Sequence, residues 1–464
     1  MEEKGRILVV SNRLPLKVKK EAGKYVYTPT SGGLVTGLNC AQETLNFLWV
    51  GSLENVPAEE REEVRKNCIE TFKFYPIFVE DEMYSKYYNN MCNGVLWPLL
   101  HSFSDLISYD IADYIAYKRV NEQFAAAILE MAQENDLIWV HDYHLMLLPE
   151  MLRQKTKLPI KIGFFLHIPF PDVFIVSGFA LLLPLLKGVL GADLASFHTF
   201  EYVSNFKNAC NLFDSTLASP FAAKMNGRTT RVEANPIGID PAIFARECLK
   251  DVTKERVAAL KKRFRGKKII LGIDRVDYIK GIPHRLKAFD RLMKTREDLS
   301  DSVVFCQVGV PSRTDIPVYQ ALSDTLCRLS GFLNAEGNID ETNVYFINNS
   351  VSFTELCALY MASDVCVISS LRDGMNLVSL EFIACAGPGA LIMSDYAGAT
   401  GMLVGSICAN PWSIEDLASS YEKALEMPEE ERIRRKMNMQ AVTSEFSAMR
   451  WGERFIRELS EPSE

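Results

Sequence analysis

The sequence predicts an α/β protein built from two parallel-sheet domains. Three observations predict it. First, short continuous apolar runs recur along the chain, end in polar or glycine-rich turns, and are followed in several places by helical patterns. Strands that are apolar on both faces and alternate with helices belong to parallel sheets covered on both sides. Second, the alternation restarts after NPIGIDPAIF (235–244), giving two sets of comparable size that face each other across a cleft. Third, polar residues with chemical potential stand where the runs end: Asn12-Arg13, His141-Asp142, His167, Asp274-Arg275 and Arg372-Asp373. In open α/β sheets ligands bind beyond the carboxyl ends of the strands.

The elements follow in order. RILVVSN (6–12) opens the first set, a helical pattern covers 117–134, and DLIWVHD (136–142) and KIGFFLH (161–167) follow. The longest apolar run, VFIVSGFALLLPLL (173–186), holds Gly178 and Pro184. It is about 14 residues long where a membrane span needs about 20, so a buried or partner-facing helix is expected. A highly charged helix over 249–265 marks the boundary, dividing the chain into 1–245 and 246–464. The second set runs KIILGID (268–274), helix 283–294, SVVFCQV (302–308), helix 316–333, NVYFIN (343–348), helix 353–362, DVCVISS (364–370), helix 376–386, ALIMSD (390–395) and helix 415–426. Pro283 suits a first helical turn, where no N–H is needed. There is no convincing internal repeat, and the tail LSEPSE is expected to fray.

Composition narrows the function. The 464 residues are 48% apolar and 24% charged, ordinary for a globular chain of two or three domains. A net charge of −8 argues against broad capture of nucleic acid, so any basic site is local. Eleven cysteines, an odd number without CxxC spacing, fit free thiols in a reducing compartment, with Cys306 and Cys366 inside strand-like runs. MEEKGRILVVSN has no secretory pattern, so the cytoplasm is expected. His141 and His144 in HDYH lack accompanying ligands at metal spacing, and no DxD motif is evident, so no metal is expected.

The loop GIDRVDYIKGI (272–282) places Arg275 and Lys280 between a strand and a helix start, with Gly281 allowing close backbone approach. Such a loop can hold a dianion, best a diphosphate. It can equally be a solvated turn in which Asp274 pairs with Arg275 and Asp277 with Lys280. A second segment, LRDGMNLVSLEF (371–382), also joins a strand to a helix start at Asn376-Leu377-Val378. Its Glu381 can accept two hydrogen bonds from a ribose diol while free backbone N–H groups meet phosphate. The alternatives are a helix-surface or core-paired acid for Glu381 and an N-cap for Asp373. GxGxxG and Walker A loops are absent, and SGGLVTG (31–37) matches a glycine-rich loop only in part.

VVSNRLP (9–15), SGGLVTGL (31–38), YYNNMCNGVLWPLLH (87–101), IWVHDYHLMLLP (138–149), KIGFFLHIPFP (161–171), DRVDYIKGIP (274–283), QVGVPSRTD (307–315) and LRDGMNLVSLE (371–381) together resemble the trehalose-6-phosphate synthases, in order and over nearly the whole chain. These are retaining glycosyltransferases of the two-Rossmann-domain (GT-B) class. The resemblance implies transfer of glucose from UDP-glucose to glucose 6-phosphate, giving α,α-trehalose 6-phosphate and UDP. Residues 1–245 become the acceptor domain and 246–464 the donor domain, with the last helix able to pack back on the first. On the donor side, Arg275 and Lys280 would hold the diphosphate and Glu381 the ribose. Asn376, Leu377 and Val378 would lie at the helix start, Asp373 and His167 on the glucose, and Gly32-Gly33 in a mobile closing loop. Arg13, Tyr88, Trp97 and Arg313 would hold glucose 6-phosphate, with both arginines on its phosphate, and Asp142 would lie at the acceptor side. Read alone, Tyr88 and Trp97 also suit core aromatics, and His167 a satisfied buried histidine.

No carboxylate stands out as a covalent nucleophile, which favours front-face attack assisted by the leaving phosphate. The chain departs from the family at 172–187, where DVFIVSGFALLLPLLK replaces a charged stretch with Arg and Glu, and at WVGSLEN (49–55), where a second Trp and Gly are usual. The first departure leaves room for a non-catalytic regulatory subunit, or for an apolar homo-oligomer surface. A sucrose-phosphate synthase is a further alternative, opposed by the four acceptor residues. No phosphatase domain is recognised, so a separate trehalose-phosphate phosphatase is the expected partner.

Overall fold

The computed structural model describes residues 5–21, 23–30, 32–108, 110–213, 219–225, 227–335, 342–385 and 387–461. Met1–Lys4, Ser31, Ala386 and the end of the tail expected to fray, 462–464, lie outside them. The chain divides into two compact units, Met1–Ile237 with Ala448–Glu464, and Gly238–Ser447. The seam therefore precedes Gly238, not residue 246. Residue 245 lies inside helix Pro241–Leu249, capped by the Asp240 side chain on Ala242 N. Gly238 is needed where the two strands of chain meet: a Cβ there would stand 1.6 Å from the Phe446 carbonyl oxygen. The single helix expected over 249–265 is also corrected. Lys250 turns extended (ψ 140), so helix Pro241–Leu249 ends and a new helix, Asp251–Arg263, begins.

The strands of the first unit are β1 (Ile7–Arg13), β2 (Leu16–Glu21), β3 (Lys24–Pro29), β4 (Leu48–Ser52), β5 (Phe74–Ile77), β6 (Leu137–His141), β7 (Lys161–Phe165), β8 (Leu194–Phe197), β9 (Ala222–Met225) and β10 (Arg228–Ala234). Among the described residues they form an eight-stranded sheet, ordered β5-β4-β1-β6-β7-β8-β10-β9, and a separate β2–β3 hairpin. All neighbours in the large sheet run parallel except β9 against β10. Every residue of β6 after Leu137 and of β7 after Lys161 is buried, as a sheet covered on both faces requires.

Helix Ala448–Ser460 closes this unit. It buries Trp451, Phe455 and Leu459, spaced four apart on one face. The Phe455 ring stacks on Trp139 at 4.4 Å, and a Cβ on Gly163 would meet that ring at 2.6 Å. The glycine in KIGFFLH is thus the seat of the C-terminal helix.

The second unit contains β11 (Lys268–Arg275), β12 (Val303–Val310), β13 (Val344–Ile347), β14 (Val365–Ile368), β15 (Ala390–Ser394) and β16 (Ile407–Ala409). They pair in parallel in the order β13-β12-β11-β14-β15-β16. Ile270, Phe305, Val365 and Ile392 pack against Leu286, Phe289 and Tyr421 from the covering helices.

The apolar run 173–186 is two short helices, Val173–Val176 and Leu182–Val189, broken around Gly178. The second buries Leu182, Leu185 and Leu186, whereas Phe174 in the first is 87% exposed. Among the described residues, no helix is long and apolar enough to cross a membrane.

Candidate active site

In the first unit the polar residues gather at the carboxyl ends of β1, β6 and β7. Arg13 ends β1 and its Nε donates to the Tyr84 hydroxyl at 2.6 Å, while Nη2 reaches Glu54 at 2.9 Å. The guanidinium lies 4.3 Å from the centre of the Tyr88 ring, a cation–π contact. Tyr88 belongs to a widened, π-helical segment, Lys86–Leu96, a distortion often found at functional sites. The Tyr88 ring lies nearly parallel to that of His144 at 5.8 Å, which carries the array to Asp142. Trp97 is nearly closed from solvent, packed on His101 at 4.2 Å and Tyr143 at 5.7 Å. Gly32 is extended and Gly33 opens helix Gly33–Leu45, so the glycine pair starts a helix rather than forming a free loop.

Asp142 stands at φ 75°, ψ 170°, a region natural only to glycine and costing other residues about 1–3 kcal/mol. The neighbouring strand holds it there: Asp142 N donates to Phe165 O at 2.7 Å, and its Oδ1 accepts from His167 N at 3.2 Å. His141 and His167 share one proton-bearing contact, Nδ1 to Nε2 at 3.0 Å. Burial lowers the His141 imidazole to about 3. Burial, then the repulsion that protonated His141, His198 and His144 would exert, hold His167 well below its ordinary value. Both rings are neutral at pH 7. His198 Nδ1 accepts from Ile237 N at 3.4 Å, so its Nε2–H is the donor to His167 O at 3.1 Å.

In the second unit the loop after β11 forms the other centre. Its charges pair across the fold as well as within the loop. Lys280 Nζ donates to Asp373 Oδ2 at 2.6 Å, across to the loop after β14. Asp277, fully buried, accepts from Arg313 Nη1 at 3.1 Å, with Arg275 Nη2 at 3.7 Å. Arg313 also bonds the Tyr319 hydroxyl. Asp274 pairs with Arg285, fully buried, at 2.5 Å. The local Asp274/Arg275 and Asp277/Lys280 pairing is thus replaced by a network that leaves the Arg275 side chain 45% exposed.

Asp373 is not an N-cap. Asn376 is: its side chain accepts from Ser379 N at 3.3 Å and opens helix Leu377–Ala384, placing Leu377 and Val378 in the first turn. Asp373 instead accepts from Lys280, Ser370 Oγ at 2.8 Å and Asn376 Nδ2 at 3.0 Å. Burial alone would raise its carboxyl; Lys280, Asn376 and Ser370 reverse this and hold it at about 2. Glu381 accepts from the Tyr360 hydroxyl at 2.8 Å, and desolvation pushes its carboxyl up.

A model of glycosyltransferase family 20 matches residues 5–461. The chain belongs to this family. Among relatives, the α,α-trehalose-phosphate synthase [UDP-forming] of Encephalitozoon cuniculi is 42% identical over 455 residues, covering 97% of this chain and 96% of that one. A solved structure described as trehalose-6-phosphate from E. coli bound with UDP-2-fluoro glucose is 30% identical, with TM-score 0.88, covering 99% of this chain and 100% of that one. A Burkholderia xenovorans α,α-trehalose-phosphate synthase (UDP-forming) in complex with glucose-6-phosphate is 31% identical, with TM-score 0.89, covering 98% and 100%. The fold of this family 20 chain is accordingly GT-B, with two Rossmann-like domains.

Sequence reasoning missed what fixes the family 20 loop. Arg285 donates to Ser369 Oγ at 2.8 Å and to the Lys280 carbonyl at 3.0 Å, and Ser369 Oγ reaches the Lys280 and Gly281 carbonyls at 3.1 and 3.0 Å. Gly281 stands at φ 62°, and a Cβ there would lie 2.1 Å from Ser369 O. Arg285 sits among apolar positions of helix Ile282–Thr295, and a charged residue at a buried helical position was the available signal. Arg285→Met strands the Asp274 carboxylate in the interior. It is expected to cost about 3–5 kcal/mol of stability, read by urea unfolding.

Proposed function

We propose that this chain is a retaining glucosyltransferase that moves glucose from UDP-glucose to glucose 6-phosphate, releasing UDP and α,α-trehalose 6-phosphate. One observation carries the reading: two strand-end loops of the second unit bring Lys280 onto Asp373 and leave Arg275 nearly half exposed beside them. An ammonium has three N–H donors, so Lys280 can keep Asp373 and still meet a diphosphate oxygen. Arg275 and Lys280 receive the charge that develops on the β-phosphate as the glycosidic bond breaks, already in place and without reorganisation. Asn376, Leu377 and Val378 offer the helix start to the donor, Glu381 takes the ribose diol, and Asp373 and His167 position the glucose. Gly33, at the start of its helix, allows close approach on the donor side.

Arg13, Tyr88, Trp97 and Asp142 act on glucose 6-phosphate, and Arg313 adds a second guanidinium for its phosphate. The leaving phosphate takes the acceptor proton, because no second carboxylate is placed as a nucleophile by this reading. The reaction needs no metal: protein cations do the neutralising. Its site is the cytoplasm. The product keeps the acceptor's phosphate, so a separate phosphatase is the natural consumer. The exposed Phe174 and Phe200 offer an apolar surface for a second copy.

The test incubates purified protein with UDP-glucose and glucose 6-phosphate, without added metal, and follows UDP and a phosphorylated disaccharide. Equimolar UDP and α,α-trehalose 6-phosphate are expected. Binding of UDP without product would indicate a regulatory subunit instead.

A further inference from the structure

Three cysteines far apart in the sequence meet inside the second unit. Cys248 lies in helix Pro241–Leu249, Cys357 in helix Phe353–Ala362, and Cys385 directly follows helix Leu377–Ala384. All are buried, and their sulfurs lie within 4.8 Å of one another. Two thiolates on one tetrahedral zinc, with Zn–S bonds of about 2.3 Å, stand about 3.8 Å apart. A small contraction therefore brings the trio to coordination distance. We propose that Cys248, Cys357 and Cys385 form a binding site for a divalent thiophilic cation of the zinc class.

Binding forms three metal–sulfur bonds, releases three thiol protons to solvent and leaves the fourth position to water. Three soft sulfur donors select zinc-like ions over magnesium or calcium. The charge nearly closes. Three thiolates around a dication leave one negative charge, and Lys436, only 6% exposed, stands beside it. Its Nζ donates to the Cys385 carbonyl at 2.7 Å and the Gly387 carbonyl at 2.6 Å. A cation there fastens the frame of Glu381. Cys385 N donates to the Glu381 carbonyl at 3.1 Å, and Cys357 precedes by one helical turn Tyr360, the partner of the Glu381 carboxylate.

The test titrates the reduced, chelator-treated full chain with Co²⁺, which reports thiolate ligands by charge-transfer absorption, and then with Zn²⁺. One cobalt per chain, a thiolate-to-cobalt band and its displacement by Zn²⁺ are expected. Cys357→Ser and Cys385→Ser should abolish the band, and Cys327→Ser, at an exposed thiol, should leave it intact. A wild-type protein without the band, or a band that survives in both variants, overturns the proposal. So does a disulfide within the trio in unreduced protein. Where a variant does not fold, zinc X-ray absorption of the wild type decides: three sulfur neighbours at about 2.3 Å support the site and fewer refute it.

Discussion

Lys280→Met lowers kcat by about 10²- to 10³-fold, the loss expected when one preorganised donor to a developing oxyanion is removed. The side chain is of similar length, so the change removes charge more than volume. Two effects must be separated. Lys280 and Asp373 are each largely buried and bonded at 2.6 Å, so removing the ammonium also strands the carboxylate, at a cost of about 3–5 kcal/mol. The double variant Lys280→Met/Asp373→Asn removes both charges and should regain much of that stability. It should regain none of the turnover. Urea midpoints give the first quantity and initial rates of UDP release the second. A double variant that recovers activity along with stability would mean that Lys280 only holds the loop together and never meets the phosphate.

The contrast between the two loops of this site shows what the sequence could carry. RILVVSN, DLIWVHD, KIGFFLH and KIILGID were legible as strands because both faces are buried, and Arg13, His141 and Arg275 fall at their carboxyl ends. β5 and β8 did not stand out because Pro76 and Ser196 interrupt their four-residue apolar runs, whereas the equally short β13 and β14 are unbroken. The partners of the charges were not legible. Asp274 lies beside Arg275 in the chain, yet it pairs with Arg285, because the helix returns Arg285 beneath the strand end. Lys280 finds Asp373 across 93 residues because β11 and β14 are sheet neighbours. The cysteine trio gave no signal for the same reason: its spacing is set by three helices packing together, not by a local turn. Asp142 could be singled out within HDYH, but its strained backbone follows from the contact with Phe165 on the neighbouring strand.

Acid should destabilise the first unit through His141. The folded state holds its imidazole at about 3, whereas an exposed histidine titrates near 6.5. Above pH 6.5 neither state binds the proton. Below it the unfolded chain takes up a proton that the folded chain refuses, so stability falls as pH falls, by at most about 1.4 kcal/mol per pH unit, until the folded group titrates near 3. Asp373 acts in a lower window. Its folded value of about 2 gives stability that is present above its unfolded value of 3.8 and lost only as pH drops from there toward 2. The interval from pH 6.5 to 4.5 lies above the Asp373 window, and His141 alone should remove about 2 kcal/mol across it, opposed by the buried carboxyls of Glu381 and Glu233, which are held above their ordinary values. His141→Phe should flatten that slope. Its Nε2 has no hydrogen-bond partner among the described residues, and the ring is packed between Trp139 at 4.6 Å and Trp451 at 6.1 Å, so an apolar ring fills the space, at the cost of the Nδ1 contact with His167. Some slope should persist, since His167 is also held neutral. Urea unfolding at pH 6.5, 5.5 and 4.5, followed by tryptophan fluorescence, reads the difference directly. Parallel pH dependences for wild type and variant would mean that His141 is protonated in the folded protein, and that the contact with His167 at 3.0 Å joins a charged ring to a neutral one.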